Sequence, residues 1–298
     1  MENKQSLEEG NAMSLIAWAA GRLERSGVSR PRLNAELLLA HCTGMSRVEL
    51  YAHSERPVPR KERESFAAAV ERRAAREPLQ YITGSKGFRY LDIHVDRRVL
   101  IPRPETELLA QVAIEAAAAM GGHPVVVDVG TGSGCVALSV ARECPAAVVY
   151  ATDISDDSLE VAHANAARQG MEDLVAFRRG DLLDALEGEL LGRLDIVASN
   201  PPYIRENEFP FLPPEVREHE PYAALVAGPT GMEVHLRLME QALSWLSPEG
   251  ILFMEGGADQ VERLVEEALR MGYEEARAHA DLNRLPRVLE ARKRRRPS

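Results

Sequence analysis

The stretch Val125-Val126-Val127-Asp128-Val129-Gly130-Thr131-Gly132-Ser133-Gly134-Cys135 decides how this chain is read. Its run of valines is that of a short strand buried on both faces. The glycines that follow admit positive φ and bring backbone close to a ligand, and a helix expected over residues 135–142 turns its first N–H groups toward an anion. Cys135 stands where a dinucleotide GxGxxG fingerprint continues, so that pattern is not met, and no Lys-Ser or Lys-Thr pair makes a triphosphate loop. A ligand bearing an amine and a carboxylate fits better, with Asp128 for the cation and the helix end for the anion.

Outward from this loop, strands and helices alternate. Strands are expected over residues 148–152, 174–178, 194–199 and 250–254. Ser155 caps a helix that Gly170 stops, and a helix over residues 262–271 is stopped by Gly272. Such alternation predicts an α/β, doubly wound parallel sheet with right-handed crossovers. Residues 274–280 and 287–292 would be its last two strands, as a hairpin at one edge.

Upstream, an Ala-rich helix over residues 105–120 ends at Gly121-Gly122. Before it, Phe88, Tyr90, Ile93, Val95, Val99 and Ile101 follow a strand period interrupted at Asp96-Arg97-Arg98, which reads as the turn of a hairpin. Residues 14–76 read as short helices. Their apolar faces are Leu15, Ile16, Ala19 and Leu23, then Leu33, Leu37, Leu38 and His41 after Pro31, then Phe66, Ala69 and Val70. The expected domains are a helical one over 1–78, a hairpin linker over 79–104 and a catalytic one over 105–298.

Composition narrows the function. The chain has 298 residues, 45% hydrophobic and 28% charged, with a net charge of −10. That leaves no whole-protein basic field for gripping nucleic acid. Three cysteines without a CxxC pair argue against a disulfide framework and a zinc site, and eight scattered histidines form no metal motif. No leader pattern and no apolar run of membrane length are present, so a cytoplasmic protein without a metal is expected. Arg292-Lys293-Arg294-Arg295-Arg296 reads as a solvated basic tail.

Two further sites carry chemistry. Asp153 ends the second strand, where doubly wound folds hold ribose hydroxyls. Asp181, with Leu182 beside it, ends the third strand and could meet an adenine edge. Three carboxylates at successive strand ends around a glycine loop of Gly130, Thr131, Gly132, Ser133 and Gly134 imply S-adenosyl-L-methionine.

Asn200-Pro201-Pro202-Tyr203 follows the strand over residues 194–199, at the carboxyl edge of the sheet. Asn200 Oδ1 and the Pro201 carbonyl can accept both hydrogens of a planar –NH₂ group, and Tyr203 can stack on its plane, with Pro202 stiffening the turn. An amide nitrogen is a weak nucleophile, so the catalysis read here is positioning, by Asn200, Pro201 and Tyr203, against a methyl sulfonium. Asn200 therefore touches acceptor and cofactor alike.

With these motifs the chain resembles the class I S-adenosylmethionine-dependent methyltransferases. Within them it is similar to the HemK/PrmC peptide chain release factor glutamine N5-methyltransferases. The specific stretches are Glu77-Pro78-Leu79-Gln80-Tyr81-Ile82-Thr83-Gly84, Leu100-Ile101-Pro102-Arg103-Pro104-Glu105-Thr106-Glu107, the glycine loop, Asn200 to Ile204 and Glu220-Pro221. The resemblance implies a seven-stranded catalytic sheet, a small helical domain that docks a class I release factor, and a glutamine acceptor in a Gly-Gly-Gln loop. Glu255, Gly257 and Gln260 match that family. Gly256 stands where it usually has an apolar residue or His, and Arg284 where it has Gly, which affects local turns near the last strands.

Rival readings share the Asn-Pro-Pro-Tyr pocket. They are a glutamine methyltransferase of a ribosomal protein, a nucleic-acid base amino-methyltransferase taking a flipped base, and a cofactor-binding regulator without turnover. The charge disfavours nucleic acid, and the complete tetrapeptide disfavours the regulator. A monomer is expected, with no membrane or direct nucleic-acid partner.

Overall fold

The structure is a computed structural model describing residues 10–294. The chain divides into two compact units. One runs to Gly84 and takes in Pro213–His219; the other comprises Ser85–Leu212 and the chain from Glu220 onward.

The first unit is helical. Asn11 caps α1 (Ala12–Arg25) by accepting from Ser14 N at 3.0 Å, and Pro31 opens α2 (Pro31–Thr43). A Ser46–Glu49 capping box starts the short α3 (Arg47–Ala52), followed by α4 (Arg60–Ala74) and the single turn α5 (Leu79–Thr83). Leu15, Ile16, Leu23, Leu38, Leu39, Phe66 and Val70 bury completely or nearly so, and each such side chain contributes about 1.5–3 kcal/mol. In α2 the buried face is Ala35, Leu38 and Leu39, whereas His41 is exposed and Leu33 and Leu37 are half-buried. The expected face was thus one position out, because three adjacent leucines leave the period to be decided by which one meets α1. Glu215, from a segment far along the chain, pairs with Arg73 at 2.9 Å and Arg76 at 2.6 Å.

The second unit begins with an antiparallel pair, β1 (Ser85–Phe88) and β2 (Leu91–His94). Its turn is at Arg89-Tyr90, with Arg89 at φ 49°, rather than at Asp96-Arg97-Arg98. Asp96 instead folds a local turn, its carboxylate accepting from Arg98 N at 3.0 Å, so no strand returns from it. Helix α6 (Thr106–Met120) leads to β3 (Val125–Val129) and α7 (Cys135–Glu143), then β4 (Val148–Asp153), α8 (Asp156–Gln169), β5 (Val175–Arg179) and β6 (Leu194–Ser199). Strands β7 (Ile204–Arg205) and β8 (Val226–Gly228) pair as a two-strand ribbon, and between them in sequence comes α9 (Pro214–Arg217), which belongs to the helical unit. Then come α10 (Glu233–Trp245), β9 (Leu246–Glu255), α11 (Val261–Met271), β10 (Glu275–Ala280) and β11 (Pro286–Arg292).

The seven-stranded sheet has the order β10-β11-β9-β6-β3-β4-β5. It is mixed rather than wholly parallel: the last strand, β11, inserts between β9 and β10 and runs antiparallel to both. The expected closing hairpin is present at the edge. Helix α10 is absent from the sequence reading although it buries His235, Leu238, Met239, Ala242 and Trp245 at helical spacing against the sheet.

All three cysteines are free thiols, Cys135 and Cys144 buried and Cys42 half-buried. Among the described residues no helix is long and apolar enough to cross a membrane. Of the basic tail, Arg295 and Arg296 lie outside the described residues. Its start is held to the fold: Arg292 pairs with Glu290 at 2.8 Å and Lys293 N donates to Gly250 O at 2.9 Å.

Candidate active site

Strand register sets the site. Val129 lies opposite Thr152 on one side and Ser199 on the other, and Ser199 lies opposite Met254. The next residue along each strand therefore falls into one row: Glu255, Asn200, Gly130 and Asp153. Four residues from distant parts of the chain meet along the carboxyl edge of β9, β6, β3 and β4, where folds of this kind bind ligands. Ser199 Oγ ties two of these strand ends by donating to Val129 O at 2.7 Å.

The glycine loop is built around Asp128. Its Oδ2 accepts from Thr131 Oγ1 at 2.6 Å and Ala137 N at 3.1 Å, linking strand, loop and helix. Burial pushes the Asp128 carboxyl up to about 6, against the pull of those two hydrogen bonds. Gly130 and Gly132 have φ of 70° and 54°, and a Cβ on either would meet nothing within 4 Å. The conformation demands glycine, and the space before the loop is open to a ligand. Behind it Asn165, fully buried, donates to Ser133 O at 2.9 Å and to His94 O at 3.0 Å, and accepts from His94 N at 2.7 Å. This brace was not anticipated, since an Asn inside a helix carries no local signal of its partners.

Asp153 accepts from Gly132 N and Ser155 N, each at 2.9 Å, which orients its carboxylate at the strand end. Its carboxyl also lies above the ordinary range through burial. Asp181 follows β5 after Gly180; it is half-exposed and its Oδ2 meets Arg237 Nη2 at 2.5 Å. Leu182 beside it has φ 55° and packs half-buried against the sheet's core. The structure thus joins Asp128, Asp153 and the glycine loop by direct bonds and leaves Asp181 held by an arginine that the sequence reading missed.

Asn200 Nδ2 donates to Thr106 Oγ1 at 3.1 Å. Pro201 is buried, and Pro202 and Tyr203 are half-buried. Gln260 fixes the tetrapeptide's far end: its Nε2 donates to Tyr203 O at 2.9 Å while its Oε1 accepts from Gly257 N at 3.0 Å. Gly231 passes so close that a Cβ there would stand 2.6 Å from both Gln260 Nε2 and Tyr203 O. Burial raises the Tyr203 phenol above its usual value, so the ring presents a neutral wall. Glu255 is buried, and burial pushes its carboxyl up to about 7.

A seven-stranded sheet with its final strand reversed, a glycine loop after the first strand and an Asn-Pro-Pro-Tyr turn after the fourth define a class I methyltransferase. A methyltransferase from Pyrococcus furiosus shows the same fold at TM-score 0.53 and 20% identity, covering 75% of this chain and 99% of that one. Residues 14–84 match the family model "PrmC N-terminal domain" and residues 105–210 match "Methyltransferase small domain". The release factor glutamine methyltransferase of Chlorobaculum tepidum is 43% identical over 267 residues, 88% of this chain and 90% of that protein. That of Streptomyces coelicolor is 40% identical over 284 residues, 93% and 96% of the two chains. The chain belongs to the release factor glutamine methyltransferase family.

Proposed function

We propose that this protein uses S-adenosyl-L-methionine to methylate N5 of the glutamine in the Gly-Gly-Gln loop of a class I peptide chain release factor. The observation that carries this reading is the Asn200 amide. Its nitrogen is committed to Thr106, which leaves Oδ1 to accept from an acceptor –NH₂, beside a Pro201 carbonyl that has no N–H of its own to compete. Family membership over nearly the whole chain supports the glutamine acceptor, and the match of residues 14–84 supports docking of the release factor by the helical unit.

The residues at the sheet edge fit such a cofactor. The open space before Gly130 and Gly132 admits a ligand against the backbone, Asp153 offers an oriented carboxylate for hydroxyls, and Ile154, well exposed after it, offers an apolar face for a base. Asp181 and Leu182 would close the base end. When bound, the cofactor supplies an electrophilic sulfonium methyl and departs as a neutral thioether. Asn200 Oδ1 and the Pro201 carbonyl would hold both amide hydrogens, and Tyr203 would wall the plane. That leaves the nitrogen lone pair as the one free direction, so the rate gain comes from orientation. The new N–C bond displaces an amide proton, which is released to water. A cytoplasmic monomer is part of this reading.

The test is transfer of labelled methyl to a purified class I release factor, beside a factor whose loop Gln is replaced by Ala. Label on the first alone is expected. No label on either, with cofactor binding intact, would overturn the acceptor and turn attention to a ribosomal protein or a nucleic-acid base.

A further inference from the structure

We infer that Arg237 and Gln241 of α10 are positioning residues for the base end of the cofactor site. They hold residues 181–184 so that one Asp181 oxygen is kept for the exocyclic amine of the base. This rests on the proposed S-adenosyl-L-methionine site.

The segment starts beside the carboxylate proposed for the ribose, since Gly180 N donates to Asp153 O at 3.0 Å. It then turns sharply. A Cβ on Gly180 would stand 2.8 Å from both Cα and Cβ of Ala185, and Leu182 is held at φ 55°. A bulky residue keeps left-handed backbone only where its surroundings impose it. Helix α10 supplies that hold from outside the segment. Arg237 and Gln241 lie one helical turn apart, on the same stripe. Arg237 Nη2 donates to Asp181 Oδ2 at 2.5 Å. Gln241 Oε1 accepts from Leu183 N at 3.1 Å, and its Nε2 donates to Asp184 Oδ2 at 3.2 Å. Three bonds thus tie one face of the helix to Asp181, Leu183 and Asp184.

The Asp181 carboxylate offers two acceptor oxygens. Arg237 occupies Oδ2, and Oδ1 has no hydrogen-bond partner among the described residues. An untethered aspartate at a half-exposed position turns between rotamers, so the arginine decides which oxygen is left for the base. Gln241 acts one step further back, by fixing the backbone that carries Asp181.

The Arg237 and Asp181 side chains are 54% and 46% exposed, so their pairing contributes little to folding and Arg237→Met should fold normally. The test compares equilibrium binding of S-adenosyl-L-homocysteine with that of its analogue carrying unsubstituted purine in place of adenine. Only the exocyclic amine differs. Wild type is expected to prefer the adenine compound by about 10-fold or more, as a site built to bond an N–H does. Arg237→Met is expected to weaken that compound about 5-fold or more and the purine analogue by less than about 2-fold, which narrows the preference. Gln241→Met, which leaves the ion pair, should narrow it by a smaller factor. A merely structural role would weaken both ligands alike and leave the preference intact. An unchanged preference in either variant, whatever the affinities, would overturn the inference. Equal binding of both ligands by wild type would remove Asp181 from base recognition, and the inference with it. Binding of neither would instead defeat the cofactor reading on which the inference rests.

Discussion

Arg103 Nη2 and Glu220 Oε1 stand 2.6 Å apart, joining residues 117 positions distant in the chain. Glu220 Oε2 also accepts from Ile101 N at 3.3 Å, and its side chain is 2% exposed against 30% for Arg103. The segment leading into α6 is thus clamped to the end of the insert that follows the Asn-Pro-Pro-Tyr turn. Each partner lies in a stretch that the sequence singled out, but their pairing is a tertiary fact.

Arg103→Met strands a buried carboxylate, and the expected loss is about 2–3 kcal/mol at pH 8. Burial already holds the Glu220 carboxyl above its ordinary value, against the pull of Arg103, and losing Arg103 raises it further. A folded-state pKa raised above the unfolded one contributes stability at low pH that is lost as pH rises through it. The deficit should therefore shrink toward pH 5. Urea denaturation at both pH values reads it, and equal deficits would contradict the account.

On the proposed reading, Asn200→Ala removes a hydrogen-bond partner of the acceptor and leaves the glycine loop untouched. Turnover on the release factor is expected to fall about 10²-fold or more, by analogy with losing one preorganised donor. Cofactor affinity, measured by calorimetry, should change far less. Near wild-type turnover would show that Asn200 does not position the acceptor.

Asp128→Asn should stabilise the protein while weakening cofactor binding. The Asp128 carboxyl is raised from 3.8 to about 6, so its ionisation costs stability as pH rises through that interval. The amide can still accept from Thr131 and Ala137 without that cost. The expected gain is about 2 kcal/mol at pH 8 and vanishes near pH 4. A gain independent of pH in thermal unfolding would rule out titration of Asp128 as its source.

Arg284→Gly relieves a left-handed residue. Arg284 has φ 62° in the exposed turn between β10 and β11, where its N–H donates to Asp281 O at 2.9 Å. A gain of about 0.5–1 kcal/mol is expected, after the greater freedom of glycine in the unfolded chain is offset. Activity should be unchanged. By contrast, Gly256 has no such strain, and a side chain there would press on Leu264, at 3.2 Å from an added Cβ.

What the sequence determined by itself is local. Valine runs gave buried strands, Ser155 and Gly170 bounded a helix, and the glycine loop and Asn-Pro-Pro-Tyr turn marked where a ligand would sit, because each signal depends on residues within a turn or two of one another. Tertiary structure alone decided the rest. Reversal and insertion of β11 follow from which strand edge was left open, and Glu255 reaches Asn200 only through the register of β9 on β6. The Asn200–Thr106 bond, the Asn165 brace and the Arg103–Glu220 clamp are bonds between groups far apart in sequence. No periodicity encodes such bonds, since their partners are chosen by how the elements pack.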